Sequence, residues 1–189
     1  RSNIKLDHFR EINKHLKKVG RATSGDLIIG LPGETKESFI KGALELLDSG
    51  IQRIVIYSLM MLYGTEFKDP GYRSRFNMKG KYRIIPLNCG EYDGEKIFDY
   101  EEVCIETKDM SFEDYIYIRK FSLIAEIIFN NQIFNVFFRY ASSEGLKNSE
   151  FINSALENIE SAPKKLLDLF NEFSREAKDE CWDSEEEMV

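Results

Sequence analysis

Cysteine, histidine, proline and tryptophan are all scarce in this chain: three, two, four and one among 189 residues. Cys89, Cys104 and Cys181 are too widely spaced for a Cys-x-x-Cys metal or redox motif, and an odd number closes no disulfide framework. Reduced thiols are expected. His8 and His15 lie two turns apart along one helix face, too far to share a metal. No apolar run reaches the roughly 18 residues of a membrane span. Phe121 to Phe138 comes nearest, and Glu126, Asn130, Asn131, Gln132 and Asn135 interrupt it. Basic residues are outnumbered, 26 Lys and Arg against 33 Asp and Glu, for a net charge of −7. A nucleic-acid binder needs a basic surface to displace phosphate counterions. The expected partner is therefore a small molecule, with neither nucleic acid nor membrane.

What is present suits an ordinary globular chain with a real core: 42% hydrophobic and 31% charged residues. Ile4, Phe9, Ile12, Leu16 and Val19 recur at near-helical spacing, which predicts a helix over 3–19 stopped by Gly20. The run Leu27 to Ile29 predicts a strand over 26–31, ending at a turn of glycine and proline. Thr35 offers a hydroxyl cap to a helix over 36–48, with Phe39, Ile40, Ala43, Leu44 and Leu47 on one apolar face. Residues 53–59 read as a second strand. Strand, helix and strand at this spacing imply a parallel pair with a right-handed crossover.

Residues 68–81 hold Pro70, Gly71 and Gly80 among basic side chains, which predicts a partly mobile loop. Residues 82–87 and 96–107 read as extended, and Asp93-Gly94 between them is a hairpin signal. Ser111-Phe112-Glu113-Asp114 looks like a helix start, with the helix running to about 130. Asn130-Asn131 breaks it, and 133–140 continues as a second piece. Phe129, Phe134, Phe137, Phe138 and Tyr140 read as helix packing. One or two more helices cover 148–178, with Pro163 near a first turn. The last stretch, 179–189, carries six acids and little periodicity, and is expected to fray.

The turn Asp26-Leu27-Ile28-Ile29-Gly30-Leu31-Pro32-Gly33-Glu34-Thr35 has neither Walker nor Rossmann spacing. Together with Glu37-Ser38-Phe39 and the later Leu62-Tyr63-Gly64-Thr65, it resembles the back half of a radical S-adenosylmethionine (radical SAM) enzyme. The resemblance is strongest over 4–68. In that family a glycine-rich turn follows the fifth strand of a partial (βα)6 barrel, and a Pro-Gly-Thr element follows the sixth. Tyr63 stands in place of that proline. Residues 80–130 resemble, less specifically, the C-terminal region of cobalamin-domain radical SAM proteins from cell-surface polysaccharide clusters. The implied fold is α/β. A partial barrel piece (helix, strand, helix, strand) covers 1–68, a loop and β-hairpin extension 69–110, a helical C-terminal region 111–178 and an acidic tail 179–189.

The family holds its 4Fe-4S cluster on Cys-x3-Cys-x2-Cys, a spacing absent here. The resemblance thus implies a C-terminal fragment of a cytoplasmic oxidoreductase, inactive alone, whose partner is the missing N-terminal barrel half. The cluster belongs to the full-length parent only, and cobalamin is a further cofactor open to that parent. S-adenosylmethionine would be cleaved reductively to a 5′-deoxyadenosyl radical that takes hydrogen from substrate. By resemblance, the backbone around Ile28 and Gly30 faces the adenine, Ile56, Tyr57 and Leu59 press on the same ring, and Glu34 organises the turn. Strand-end backbone groups can read the adenine edge, and glycine allows a close approach. Arg73, Arg75 and Arg83 are the candidates for an anionic substrate such as a phosphorylated or nucleotide-linked sugar. Glu101 and Glu102 are adjacent on an extended stretch and should face opposite ways.

Two other functions stay open. One is a non-catalytic interaction module on a decayed barrel, and the other a methyl- or methylthio-transferase of the same superfamily. An isolated barrel edge exposes strand sides. The chain should therefore form a homodimer or cover that edge with its C-terminal helices.

Overall fold

A computed structural model describes residues 6–188. Residues 3–5 of the first expected helix, and Val189 of the tail, lie outside the described residues. The chain is mixed α/β, with two small two-stranded sheets linked by a bridge between Met60 and Val103.

The first part runs α1 (Leu6–Lys18), β1 (Ser24–Ile29), α2 (Lys36–Leu47) and β2 (Arg53–Ser58). β1 and β2 pair in parallel, in register from Ser24 opposite Arg53 to Ile29 opposite Ser58. The Thr35 hydroxyl accepts from the Ser38 amide at 3.1 Å, and Ser38 Oγ accepts from the Thr35 amide at 3.0 Å, so α2 starts on a reciprocal cap. Alternation along both strands sends Gly25, Ile29, Ile54 and Ser58 into the interior. Ala43 and Leu47 of α2 meet Ile54 there.

The stretch expected to be a mobile loop is instead ordered. Glu66–Lys68 forms a 3-10 turn, followed by α3 (Pro70–Phe76). The reason is local: Asp69 accepts from the Tyr72 amide at 2.8 Å and Pro70 occupies the first turn. An acceptor cap followed by proline is a helix start, outweighed in the sequence reading by the nearby glycines. β3 (Lys79–Tyr92) and β4 (Glu95–Glu106) then form an antiparallel hairpin. Its turn has positive φ at both Asp93 (52°) and Gly94 (83°), as that dipeptide foretells.

The remaining elements are α4 (Phe112–Ala125), a π-helical turn (Glu126–Asn130), α5 (Asn135–Ser143), α6 (Asn148–Glu157) and α7 (Lys164–Asp179). The cap of α4 is again reciprocal, between Ser111 and Asp114. The main core gathers Phe121, Ile124, Phe129, Phe138, Ile152 and Phe170 against α2 and β2. Each such side chain contributes about 1.5–3 kcal/mol when fully buried.

Two expectations need correction. The aromatic cluster divides: Phe129 and Phe138 are buried, whereas Phe134, Phe137 and Tyr140 are exposed. α5 is too short to bury both of its faces, and it bends by 85° from the α4 axis. The acidic tail is also seated rather than frayed. Trp182 pairs with Tyr82 of β3 through two backbone bonds of 2.8 and 2.9 Å, and Asp183 meets Lys81 at 2.9 Å. Tyr100 Oη donates to Glu185 at 2.6 Å, which pushes the phenol up to about 12. Acids at the chain end thus find cations and donors on the hairpin.

The outer edge of β2 is capped at one residue from within the chain. Asn130, at the end of the π turn, accepts from the Ile54 amide at 2.9 Å and donates to the Ile54 carbonyl at 2.7 Å. One side-chain amide there does for a single residue what a neighbouring strand would do. Among the described residues no strand pairs with the outer edge of β1. Asn130→Ala should orphan both Ile54 groups and cost about 1–3 kcal/mol in urea denaturation.

Candidate functional site

β1 and β2 end side by side, and the turn Gly30 to Glu34 lies at that end. Ile28 and Tyr57 are register partners, so both project from the same face of the sheet. That face is open: Ile28 is 41% exposed and Tyr57 53%. Parallel strands are ordinarily covered on both faces, so a bare apolar face beside a glycine-rich turn is the feature of this end of the molecule.

The other residues expected to face a cofactor are engaged inside the protein. Ile56 packs towards the helices with Leu27. Leu59 is buried with Met61, Met78 and Cys104. Both of its backbone groups are used: its amide donates to the Ile29 carbonyl, and its carbonyl accepts from the Cys104 amide, each at 2.9 Å. Gly30 has φ +95°, and a β-carbon there would lie 3.0 Å from the Cys104 carbonyl oxygen. The close approach that glycine permits is to β4. Glu34 is half-buried and has no cation partner among the described residues. Desolvation raises its pKa above the ordinary carboxylate value.

The three arginines do not converge. Arg73 binds Glu102 at 2.9 Å. Arg83 holds Glu101 through Nε and Nη2, both at 2.6 Å. Arg75 is exposed and its guanidinium lies over the Phe76 ring. Glu101 and Glu102 do point opposite ways, each to its own cation. The partners of Arg73 and Arg83 lie at sequence separations that spacing does not reveal.

Two polar assemblies result. In the first, Glu102, with its side chain 5% exposed, receives Lys68 and Arg73. Lys68 also lies 4.3 Å from the centre of the Tyr63 ring. Burial disfavours the Lys68 ammonium, but Glu102 and the neighbouring tyrosines more than offset it, so its pKa stands above the usual value. Gly80 makes room for the carboxylate, since a β-carbon there would lie 2.2 Å from Glu102 Oε1.

The second assembly is a chain of contacts. Glu180 accepts from Arg119 at 2.8 Å and lies 3.6 Å from Arg83. Arg119 donates to Tyr115 Oη at 3.1 Å, and Tyr115 Oη lies 2.8 Å from Ser58 Oγ. Beside it, along the outer edge of β2, a cleft of about 330 Å³ is lined by Ile56, Tyr57, Arg83, Arg119 and Phe173. Three residues from the sequence reading therefore meet here, although in another arrangement than expected.

The cysteines do not suit an iron–sulfur cluster. Cys89 is exposed on the hairpin, while Cys104 and Cys181 are buried. Burial pushes the Cys104 thiol up to about 11 and also raises that of Cys181, away from the thiolate a metal needs. Among the described residues no group of three His, Cys, Asp or Glu side chains is placed to hold a metal ion. No protein-family model matches the chain, and the search of curated proteins returned no match.

Two outcomes follow from this geometry. Glu102→Ala strips the shared carboxylate from Lys68 and Arg73, and Gly80→Ala expels it. Each should cost about 3 kcal/mol, and the double variant should be no worse than the worse single, because both break one assembly. Urea denaturation reads all three. For Glu34 the folded pKa is raised, so the stabilising protonated form prevails in acid and is lost as pH rises through the folded pKa. Glu34→Gln should therefore raise the melting temperature slightly at neutral pH. The gain should vanish below the ordinary carboxylate range.

Proposed function

We propose that this chain is the closing part of a radical SAM barrel, with β1 and β2 as its last two strands and an S-adenosylmethionine pocket shared with strands supplied by the rest of the enzyme. The observation that carries the reading is an asymmetry of the sheet. Asn130 caps the outer edge of β2 at Ile54, whereas the outer edge of β1 has no such cap among the described residues and the face bearing Ile28 and Tyr57 is bare. In this reading the sheet continues through β1. The glycine-rich turn lies at the carboxyl ends of the strands, where barrel ligands bind.

In this reading the apolar side chains of Ile28 and Tyr57 cover the adenine face, and the half-buried Glu34 faces the polar part of the pocket. Bound there, S-adenosylmethionine supplies radical chemistry once a cluster from elsewhere in the enzyme reduces it. This chain's own residues bind, orient and exclude water; no cysteine of it takes part. Arg73 and Arg83 are neutralised by carboxylates and hold the scaffold instead of a substrate.

A non-catalytic interaction module is the second reading. It is favoured by the filled space at Gly30 and by the occupied backbone of Leu59, which leave less room for a cofactor than a working pocket needs.

The deciding experiment uses the protein encoded by the complete gene. An in-frame Cys-x3-Cys-x2-Cys ahead of Arg1 and anaerobic cleavage of S-adenosylmethionine are expected. Ile28→Asp, on the exposed face, should abolish S-adenosylmethionine binding while leaving the melting temperature in place. Unchanged cofactor affinity in that variant would overturn the pocket, and absence of the cysteines would turn the assignment to the interaction module.

A further inference from the structure

The peptide groups of β2 face two ways. Leu59, just past its end, donates to Ile29 of β1, so the odd-numbered residues of this strand turn towards β1. Ile54 meets Asn130 with both of its groups, so the even-numbered residues turn outward. Ile56 and Ser58 share that outward direction. Among the described residues the amide and carbonyl of Ile56 and the amide of Ser58 have no hydrogen-bond partner. Such a row of unpaired groups is a template for another strand, and Asn130 already fills the place that strand would take beside Ile54.

A helix face stands opposite this edge. Arg119, Ser122, Leu123 and Glu126 recur at helical spacing along α4 and the first residue of the π turn, and they line the cleft of about 330 Å³ together with residues 54–58. A slot between an edge strand and a helix is how domains take an extended peptide as an added strand. The slot is polar at both ends. Beside Ile54, Glu126 accepts from Asn130 at 2.6 Å and pairs with no cation among the described residues. Beside Ser58, Arg119 uses Nη1 alone, donating to Tyr115 Oη at 3.1 Å and to Glu180 at 2.8 Å. Its Nε and Nη2 donors have no partner among the described residues. Arg83, by contrast, is committed to Glu101.

We propose that the outer edge of β2 binds an extended peptide segment of another protein as a third strand. Alternate peptide residues bond to Ile56 and to the Ser58 amide, a basic side chain meets Glu126, and an acidic one takes the spare donors of Arg119. The bonding pattern singles out this occupant, because a main chain presents donors and acceptors at the two-residue repeat that Ile54, Ile56 and Ser58 present. Size agrees: Ile54 to Ser58 spans about 13 Å of strand, the reach of roughly five extended residues. The inference does not rest on the radical SAM reading, because it uses the edge of β2 that faces away from β1.

The test is fluorescence polarisation of a labelled peptide, Lys-Val-Thr-Val-Glu with both termini blocked, titrated with the 189-residue chain. The β-branched residues favour the extended form. Saturable binding is expected. N-methylation of one peptide amide at a time should weaken it about tenfold at alternate positions and leave it unchanged at those between, since only alternate amides face β2. Replacing the peptide's lysine by glutamate should weaken it about threefold. Ser122→Tyr fills the slot and should abolish binding, with a circular dichroism melt close to the parent's. Absence of saturation at millimolar concentrations overturns the proposal, as does binding indifferent to N-methylation at every position. The methylation series changes the peptide alone, so it decides even where Ser122→Tyr disturbs folding. A dimer in sedimentation velocity that Ser122→Tyr dissolves overturns it too, and assigns the edge to a second copy of the chain.

Discussion

Three backbone hydrogen bonds around Leu59 and Met61 hold the two sheets of this protein together. Leu59 donates to Ile29 of β1 and accepts from Cys104 of β4, and Met61 donates to Glu102 at 2.8 Å. The parallel pair and the hairpin share no strand, yet this short crossing makes them one body. It presses Cys104 against Gly30 and turns the Glu102 side chain towards Lys68 and Arg73. The smallest core cluster, with Leu59, Met61, Met78 and Cys104, forms directly around it. A bulky residue at Gly30 or Gly80 would strain the joint from either side, so these glycines serve packing before anything else.

From that joint the polar chain of Ser58, Tyr115, Arg119, Glu180, Arg83 and Glu101 runs across the molecule. It ties the end of β2 to α4, to the end of α7 and to the hairpin. Partly buried ionic assemblies of this sort contribute modest net stability, yet losing one member leaves a charge without its partner. Their geometric effect is to fix where the C-terminal segment docks. Lys36 and Asp114, 2.9 Å apart, similarly fasten the starts of α2 and α4.

Local physics made much of the fold legible. Thr35 and Ser111 announce helix starts because a hydroxyl satisfies otherwise orphaned amides, and Asp93-Gly94 announces the hairpin because both positions tolerate positive φ. Apolar periodicity placed the parallel pair. What stayed hidden depends on distant partners. Nothing in the neighbourhood of Asn130 says that its amide will pair with Ile54, and nothing around Trp182 says that the tail will dock on Tyr82. The helix after Asp69-Pro70 was readable in principle, but nearby glycines argued for a loop. At the candidate site, the burial of Leu59 and the pairing of the arginines follow from the hairpin folding back, a long-range event that no motif encodes.

The docking of the tail has an optical consequence. Trp182 is the only tryptophan of the chain, and it lies half-buried where the tail bonds to Tyr82. The intrinsic indole emission of this protein is therefore a gauge of one contact, the seating of its C-terminal segment on the hairpin. It can report that segment's release at a wavelength where the rest of the molecule is silent.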